Sequence, residues 1–339
     1  MRIAITGATG NVGHALVRAL DSEDAVEEVV AIARRSTDAL PSAKARSVAA
    51  DVAESDLVPV LRGCDAVVHL AWQIQPMRDR ERLRRVNVEG TRRVLEAAAA
   101  AGAGTVVHAS SIGAYTPTSD PEARVDESHP TGGIPSSQYS VDKVACERLL
   151  DDFEREHPQV RVARLRPAIV LQRAAASEQV DIFAGRGKVP GFLVGRGLPP
   201  GVLPVPPGLR LQFVHAEDLA DLYRRVLVSP EARGAFNAAA EPPLGPRALA
   251  RRLNALPLPV PAPAVRAVVA ATYALRLQPT EPGWFDMGMG TPLLDSTRAR
   301  EELGWTPGRS ADQAFAELLE GVRDGAHAGT PPLRAKSGA

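Results

Sequence analysis

The chain has 339 residues, 45% of them hydrophobic and 24% charged, with 40 basic residues balanced by 40 acidic ones. That length supports one large domain or two modest ones around a real core, and the balanced charge gives no general pull towards nucleic acid or an anionic membrane. Cys64 and Cys146 form no CxxC pair, which argues against a disulfide framework or a structural zinc site.

No run approaches 18 consecutive apolar residues, and MRIAITGATG lacks the apolar core of a signal peptide. The expected compartment is the cytoplasm, with no membrane and no nucleic-acid partner. Apolar β-type runs occur at RIAIT, EEVVAIA, RSVAAD, DAVVHLA, GTVVHAS and VRVARLR. Helical patterns lie between them: Val12 to Leu20; Leu83, Val86, Gly90, Val94, Ala97 and Ala101 on one face; then Val141, Ala145, Leu149 and Phe153. This alternation predicts an α/β fold, a Rossmann-like doubly wound parallel sheet covered on both faces.

The pattern changes after RLRPAIV. Residues 185–210 are rich in Gly and Pro and read as irregular structure, a candidate flap. LQFVHAEDLADLYRRVL returns as strand plus helix, LPLPVPAPAV separates later helices, and TRAREELGW reads as a short helix ended by Gly304. The expected organisation is a cofactor-binding domain at 1–171 and 211–240, a smaller C-terminal substrate-binding region at 172–210 and 241–329, and a disordered tail at 330–339. His69, His108 and His215 sit in strand-like runs without metal-ligand spacing and read as structural.

TGATGNVG follows the first strand and opens a helix. There Gly7 permits a tight turn, Gly10 lets the backbone approach a pyrophosphate, and Gly13 lets helix and strand pack closely. Unpaired N–H groups at the helix start favour phosphate. Where a carboxylate for the ribose 2′-hydroxyl is expected stand Ala33, Arg34 and Arg35. Guanidinium groups grip a 2′-phosphate, so NADP(H) is expected, with NAD(H) as the alternative. Tyr139 and Lys143, four apart on a helical pattern, face the same way. A nearby ammonium favours the phenolate and is expected to lower the phenol pKa.

In order along roughly 300 residues, the glycine turn, Asp51–Val52, HLAW (69–72), NVEGT (87–91), SSIGAY (110–115), YSVDK (139–143), RP (166–167), FVHAEDLA (213–220) and DSTRAREELGWTP (295–307) resemble the extended short-chain dehydrogenase/reductase family, the NAD-dependent epimerase/dehydratase group. The resemblance implies a Ser-Tyr-Lys site of Ser111, Tyr139 and Lys143, with Ser110 the competing serine and Asn87 supporting the lysine. It implies cofactor contacts from Gly7, Thr9, Gly10, Asn11, Val12, Gly13, Arg34, Arg35, Asp51, Val52, Leu70, Ala71, Tyr139, Lys143 and Pro167. It also implies a small-molecule substrate, reversible hydride transfer at a secondary alcohol or ketone, and a homodimer through helices around 83–101 and 138–155.

The chain departs from the nucleotide-sugar branch where that branch carries an asparagine after the sixth strand and an arginine before FVHAED: here stand Ala168, Ile169 and Leu211, with Arg210 one position off. Trp72, Gln73 and EPGWFDMGMG (281–290) are candidates to line a more apolar pocket, and Tyr115 reads as packing or pocket lining. The leading expectation is an NADP(H)-dependent dehydrogenase or reductase. The alternatives are a nucleotide-sugar epimerase or dehydratase and a non-enzymatic NADP(H) sensor.

Overall fold

Residues 1–75, 77–183, 185 and 201–334 are described in the computed structural model. Seven parallel strands form the central sheet in the spatial order Gly234–Ala238, Arg161–Pro167, Thr105–Ala109, Ala66–His69, Arg2–Thr6, Glu28–Ala33 and Ala45–Ala49. Each of the six apolar runs read from the sequence supplies one of these strands. The order reverses between Arg2–Thr6 and Ala66–His69, which opens a crevice above the strands' C-terminal ends where ligands of such sheets bind.

Both faces of the sheet are covered. Helices Asn11–Asp21 and Ala216–Val228 bury Leu16, Leu20, Leu219, Leu222 and Val226 on one face, with Trp305 in the same cluster. On the other, Gly90–Ala101 and Gln138–Glu156 bury Val94, Leu95, Leu150 and Phe153. Helix Thr297–Leu303 does end at Gly304, in the left-handed conformation.

Three details differ from the sequence reading. The long helical pattern around Leu83 is interrupted by a π-helical stretch, Arg85–Glu89, whose wide turn carries Asn87. The proline-rich stretch holds strand Ala255–Pro259, paired with Gly201–Val205, and helix Ala262–Ala274. With only two strands each proline has an open edge, so its missing N–H costs no ladder bond. The start of the expected tail is packed: Thr330 and Leu333 are buried, and the Thr330 hydroxyl donates to the Thr9 carbonyl at 2.9 Å. A hydroxyl and one apolar side chain anchor a segment whose composition alone reads as loose. The remainder, residues 335–339, lies outside the described residues, as does 186–200 of the candidate flap.

Strand Leu211–His215 joins a separate three-stranded sheet with Ala240–Leu244 and Ile169–Leu171, although the helix that follows it covers the central sheet. A further parallel pair joins Arg124–Val125 to Leu293–Leu294 from the C-terminal part of the chain. Among the described residues, no helix is long and apolar enough to cross a membrane.

Candidate active site

The turns after the first and fourth strands touch. Gly7 has φ +72°, and a Cβ there would lie 2.7 Å from the Ala71 nitrogen, so any side chain would push these turns apart. At Gly13 a Cβ would lie 2.2 Å from the Gly7 carbonyl oxygen, which fixes how closely the first helix meets its strand. The helix starts at Asn11 with no side-chain cap on its N–H groups. Gly10 has open space on its outer side beyond the Gly7 carbonyl. The cradle therefore fits a pyrophosphate on the helix N-terminus.

Around it, Leu70 and Ala71 are tied to Thr6: the Leu70 N–H donates to its carbonyl, and the Ala71 N–H to its hydroxyl at 3.3 Å. Thr9 and Val52 are buried, and Asp51 caps its own turn by accepting from the Ala53 N–H at 2.9 Å. Asn11 donates to the Val170 carbonyl and accepts from Gln172, so its side chain braces the neighbouring strand end. Val12 is half-buried on the first turn, and Pro167 is buried at the end of its strand. Arg34 and Arg35 are exposed just past the second strand, free of ion pairs with other described residues.

Helix Gln138–Glu156 brings Tyr139 and Lys143 into the crevice. Ser137 caps it, accepting from the Ser140 N–H, and Ser140 itself donates to the Gly113 carbonyl at 2.5 Å. Those bonds set the helix start against the loop that carries Ser111. Ser111 accepts from the Gly113 N–H at 3.0 Å, and Gly113 lies against the Tyr139 ring, where a Cβ would come 3.2 Å from Cε1. Ser110 points elsewhere: its hydroxyl donates to Glu147 at 2.5 Å. Lys143 is buried, donates to the Ala109 carbonyl at 2.7 Å, and places Nζ 5.7 Å from the Tyr139 ring centre.

Burial pushes the phenol up to about 12, against the opposing pull of the nearby Ser111 hydroxyl, and pushes Lys143 down to about 8. The expected lowering of the phenol by the ammonium is therefore not what the structure shows. Nζ is turned towards Ala109 and lies 3.5 Å over the Trp72 ring, so desolvation dominates. Asn87 is buried on the π-helical turn. Its side chain accepts from the Gln73 N–H at 2.8 Å and donates to the Gln73 carbonyl at 2.9 Å, clamping the loop after the fourth strand.

A sequence model of the NAD dependent epimerase/dehydratase family matches residues 3–239. The chain belongs to that family. An uncharacterized protein of Mycobacterium tuberculosis is 29% identical over 326 residues, 95% of this chain but 30% of that one, so the chain spans less than a third of the relative's length. UDP-glucose 4-epimerase of Mycolicibacterium smegmatis is 29% identical over 96% of this chain and 99% of its own. A short-chain dehydrogenase/reductase superfamily protein of Agrobacterium tumefaciens, solved with bound NAD, superposes with a TM-score of 0.70 at 23% identity over 96% of this chain and 98% of its own.

Within this extended short-chain dehydrogenase/reductase fold, the positions that depart from the nucleotide-sugar pattern are built for other tasks. Arg210 donates to Glu122 at 2.6 Å and to the Leu209 carbonyl at 2.9 Å. Ala168 is buried, and Ile169 is exposed on its short strand. Aromatic rings surround the phenol instead. Trp284 lies 4.8 Å from the Tyr139 ring and Trp72 meets it edge-on at 5.7 Å. Phe183 backs Trp284 at 4.9 Å. Tyr115 is packing: fully buried, it donates to Asn237 at 2.7 Å and accepts from Arg166. His69 is bonded to Thr6 and Thr91 and is held neutral by burial, down to about 3.

Two carboxylates lie beside the phenol, Glu281 from the stretch 281–290 read as candidate pocket lining and Asp142, which sequence reasoning missed. Asp142 and Glu281 are both buried there. The signal for Asp142 was available as an acid inside YSVDK, on the helix between tyrosine and lysine.

Proposed function

We propose that the protein is an NADP(H)-preferring dehydrogenase or reductase that interconverts a carbonyl and a secondary alcohol at Ser111, Tyr139 and Lys143. The observation that carries this reading is the placement of Tyr139 and Lys143 one turn apart on a single helix, with Nζ 5.7 Å from the phenol ring centre and the loop of Ser111 packed against that ring at Gly113. Arg34 and Arg35 at the cradle's rim support the 2′-phosphate cofactor, with NAD(H) the alternative.

NADP(H), when bound, supplies or accepts the hydride. Ser111 holds the substrate oxygen and aims it at Tyr139. A phenol whose pKa is held near 12 stays protonated at neutral pH, so it is ready to give its proton to the oxygen as negative charge develops there. Lys143 supplies positive charge against the phenolate left behind. In the oxidising direction the same groups run in reverse, which calls for higher pH.

The aromatic wall over Tyr139 and the engagement of Arg210 with Glu122 favour a substrate without a nucleoside diphosphate. A second reading, epimerase or dehydratase on a nucleotide sugar, draws on the whole-length likeness to UDP-glucose 4-epimerase. Purified protein with NADPH and a panel of ketones and aldehydes, followed at 340 nm, tests the first. Turnover that vanishes in Tyr139→Phe is expected. Tight calorimetric binding of UDP or dTDP with no turnover on the panel would instead favour the second, and cofactor binding without either would leave a sensor.

A further inference from the structure

The C-terminal region leaves an apolar face bare. Strands Gly201–Val205 and Ala255–Pro259 pair with Val202 beside Leu256 and Pro204 beside Leu258, so these side chains stand on one face of the ribbon. Helix Ala262–Ala274, which packs against Gly201–Val205, buries none of its residues. Its exposed positions Ala264, Ala267, Val268 and Ala271, with Leu275 just past its end, recur every three or four residues, the stripe that normally faces a core. Val202, Leu256, Leu258, Val268, Leu275 and Leu277 are each between 49% and 69% exposed. Single exposed apolar side chains are ordinary, but a set on neighbouring elements marks a contact surface.

Charge says what kind of partner fits. In a chain with as many acids as bases, no Asp or Glu occurs between Asp181 and Glu217 or between Glu241 and Glu281, the segments that supply these strands and this helix. Arg210, Arg252 and Arg266 are matched by Glu122, Asp312 and Asp286 from outside those segments. Arg78, Arg247 and Arg276 have no ion pair among the described residues. Arg276 stands between Leu275 and Leu277, and the Arg78 guanidinium lies 3.8 Å from the ring centre of Tyr273 on the helix. Arg247 lines a groove with Pro257 and Pro259 on the ribbon's other side. The even balance of the whole chain conceals this one-signed region.

A second copy docked through the same face would bring like charges together. An added strand would meet Pro204, Pro257 and Pro259, which carry no N–H to pair with it. A bilayer surface asks for neither a strand edge nor matched hydrogen bonds. It takes apolar side chains at the acyl boundary and holds arginines at anionic headgroups. We infer that this face docks the protein on an anionic lipid bilayer, with its leucines and valines entering the headgroup boundary and Arg78, Arg247 and Arg276 held by lipid phosphates. The contact is peripheral and needs no spanning helix.

Co-flotation of the full chain with vesicles tests this, using phosphatidylcholine alone and equal parts of phosphatidylcholine and phosphatidylglycerol. Binding should favour the anionic vesicle by about tenfold or more and weaken as salt is raised. Leu275→Glu with Leu277→Glu should lower it by about tenfold or more, since each puts a carboxylate where an apolar side chain enters the bilayer. Arg247→Glu with Arg276→Glu should lower binding to the anionic vesicle by a similar factor. Both pairs change exposed side chains, so thermal unfolding should match the wild type. No association with either vesicle, equal association with both, or association unchanged in both folded variants overturns the inference. A wild-type dimer that Leu275→Glu with Leu277→Glu dissolves in light scattering would also overturn it, and would assign the face to a second copy.

Discussion

Asp142 and Glu147 are buried carboxylates five residues apart on one helix, and their surroundings could hardly differ more. Glu147 is saturated. It accepts from Ser110, from Arg166 at 2.9 Å on each oxygen, and from Arg164 at 3.1 Å. Burial alone would raise its pKa, but Arg166, Arg164 and Ser110 pull it down to about 2. Arg166 continues the network to the Tyr115 hydroxyl and the Glu127 carbonyl, binding helix Gln138–Glu156 to the sheet behind it. Asp142 has one firm partner, Gln138, with Arg84 at 3.8 Å, and burial raises its pKa. The helix is thus fastened at one turn and left chemically open at the next. Fully paired charge holds the position of Tyr139 and Lys143, while one turn away Asp142 Oδ2 is buried without a hydrogen-bond partner.

The contrast can be broken by substitution. Tyr139→Phe, in the open turn, should lower kcat/KM by about 10²–10⁴-fold while calorimetric NADPH binding stays intact. Glu147→Gln, in the fastened turn, should do the opposite kind of damage. Arg164 keeps Asp151 and Glu154, but leaving Arg166 without its carboxylate costs about 3–5 kcal/mol in urea unfolding. Asp142→Asn should cost under about 1 kcal/mol, because little paired charge is lost. Next in size, Arg34→Ala with Arg35→Ala should raise the KM for NADPH by about 10–100-fold and leave that for NADH unchanged.

The smallest effect is a difference in pH slope. The folded pKa of Glu147 is depressed, so its contribution is complete above the unfolded carboxylate range and is lost as pH falls towards about 2. Asp142 is raised, so it binds its proton more tightly folded than unfolded, and its term weakens stability as pH rises through the folded value. Unfolding free energies of Glu147→Gln and Asp142→Asn against the wild type, measured from pH 3 to 7, should therefore diverge with opposite slopes.

Much of the backbone frame was legible because it depends on local rules. The six strands follow apolar runs, and Gly7 and Gly13 announce their close contacts by lacking a side chain. The pairing of Tyr139 with Lys143 follows from helical spacing alone. Contacts between distant parts of the chain were not legible. No pattern tells that Trp72 will lie under an ammonium 71 positions away, or that the Asn87 amide will clamp Gln73 from a π-helical turn. The phenol's raised pKa was missed for the same reason. Spacing showed the nearby cation, but burial, which raises the phenol's pKa, is a property of the whole fold. The packing of Thr330 on the glycine turn likewise joins residues 321 apart.

The most direct test of the central claim uses NADPH deuterated at the transferring position of nicotinamide C4, with the carbonyl compound reduced fastest in the panel. The account predicts one deuterium on the carbinol carbon of the product by mass spectrometry, formed by the wild type and lost in Tyr139→Phe. Product without deuterium, or labelled product formed as fast by Tyr139→Phe, would contradict it.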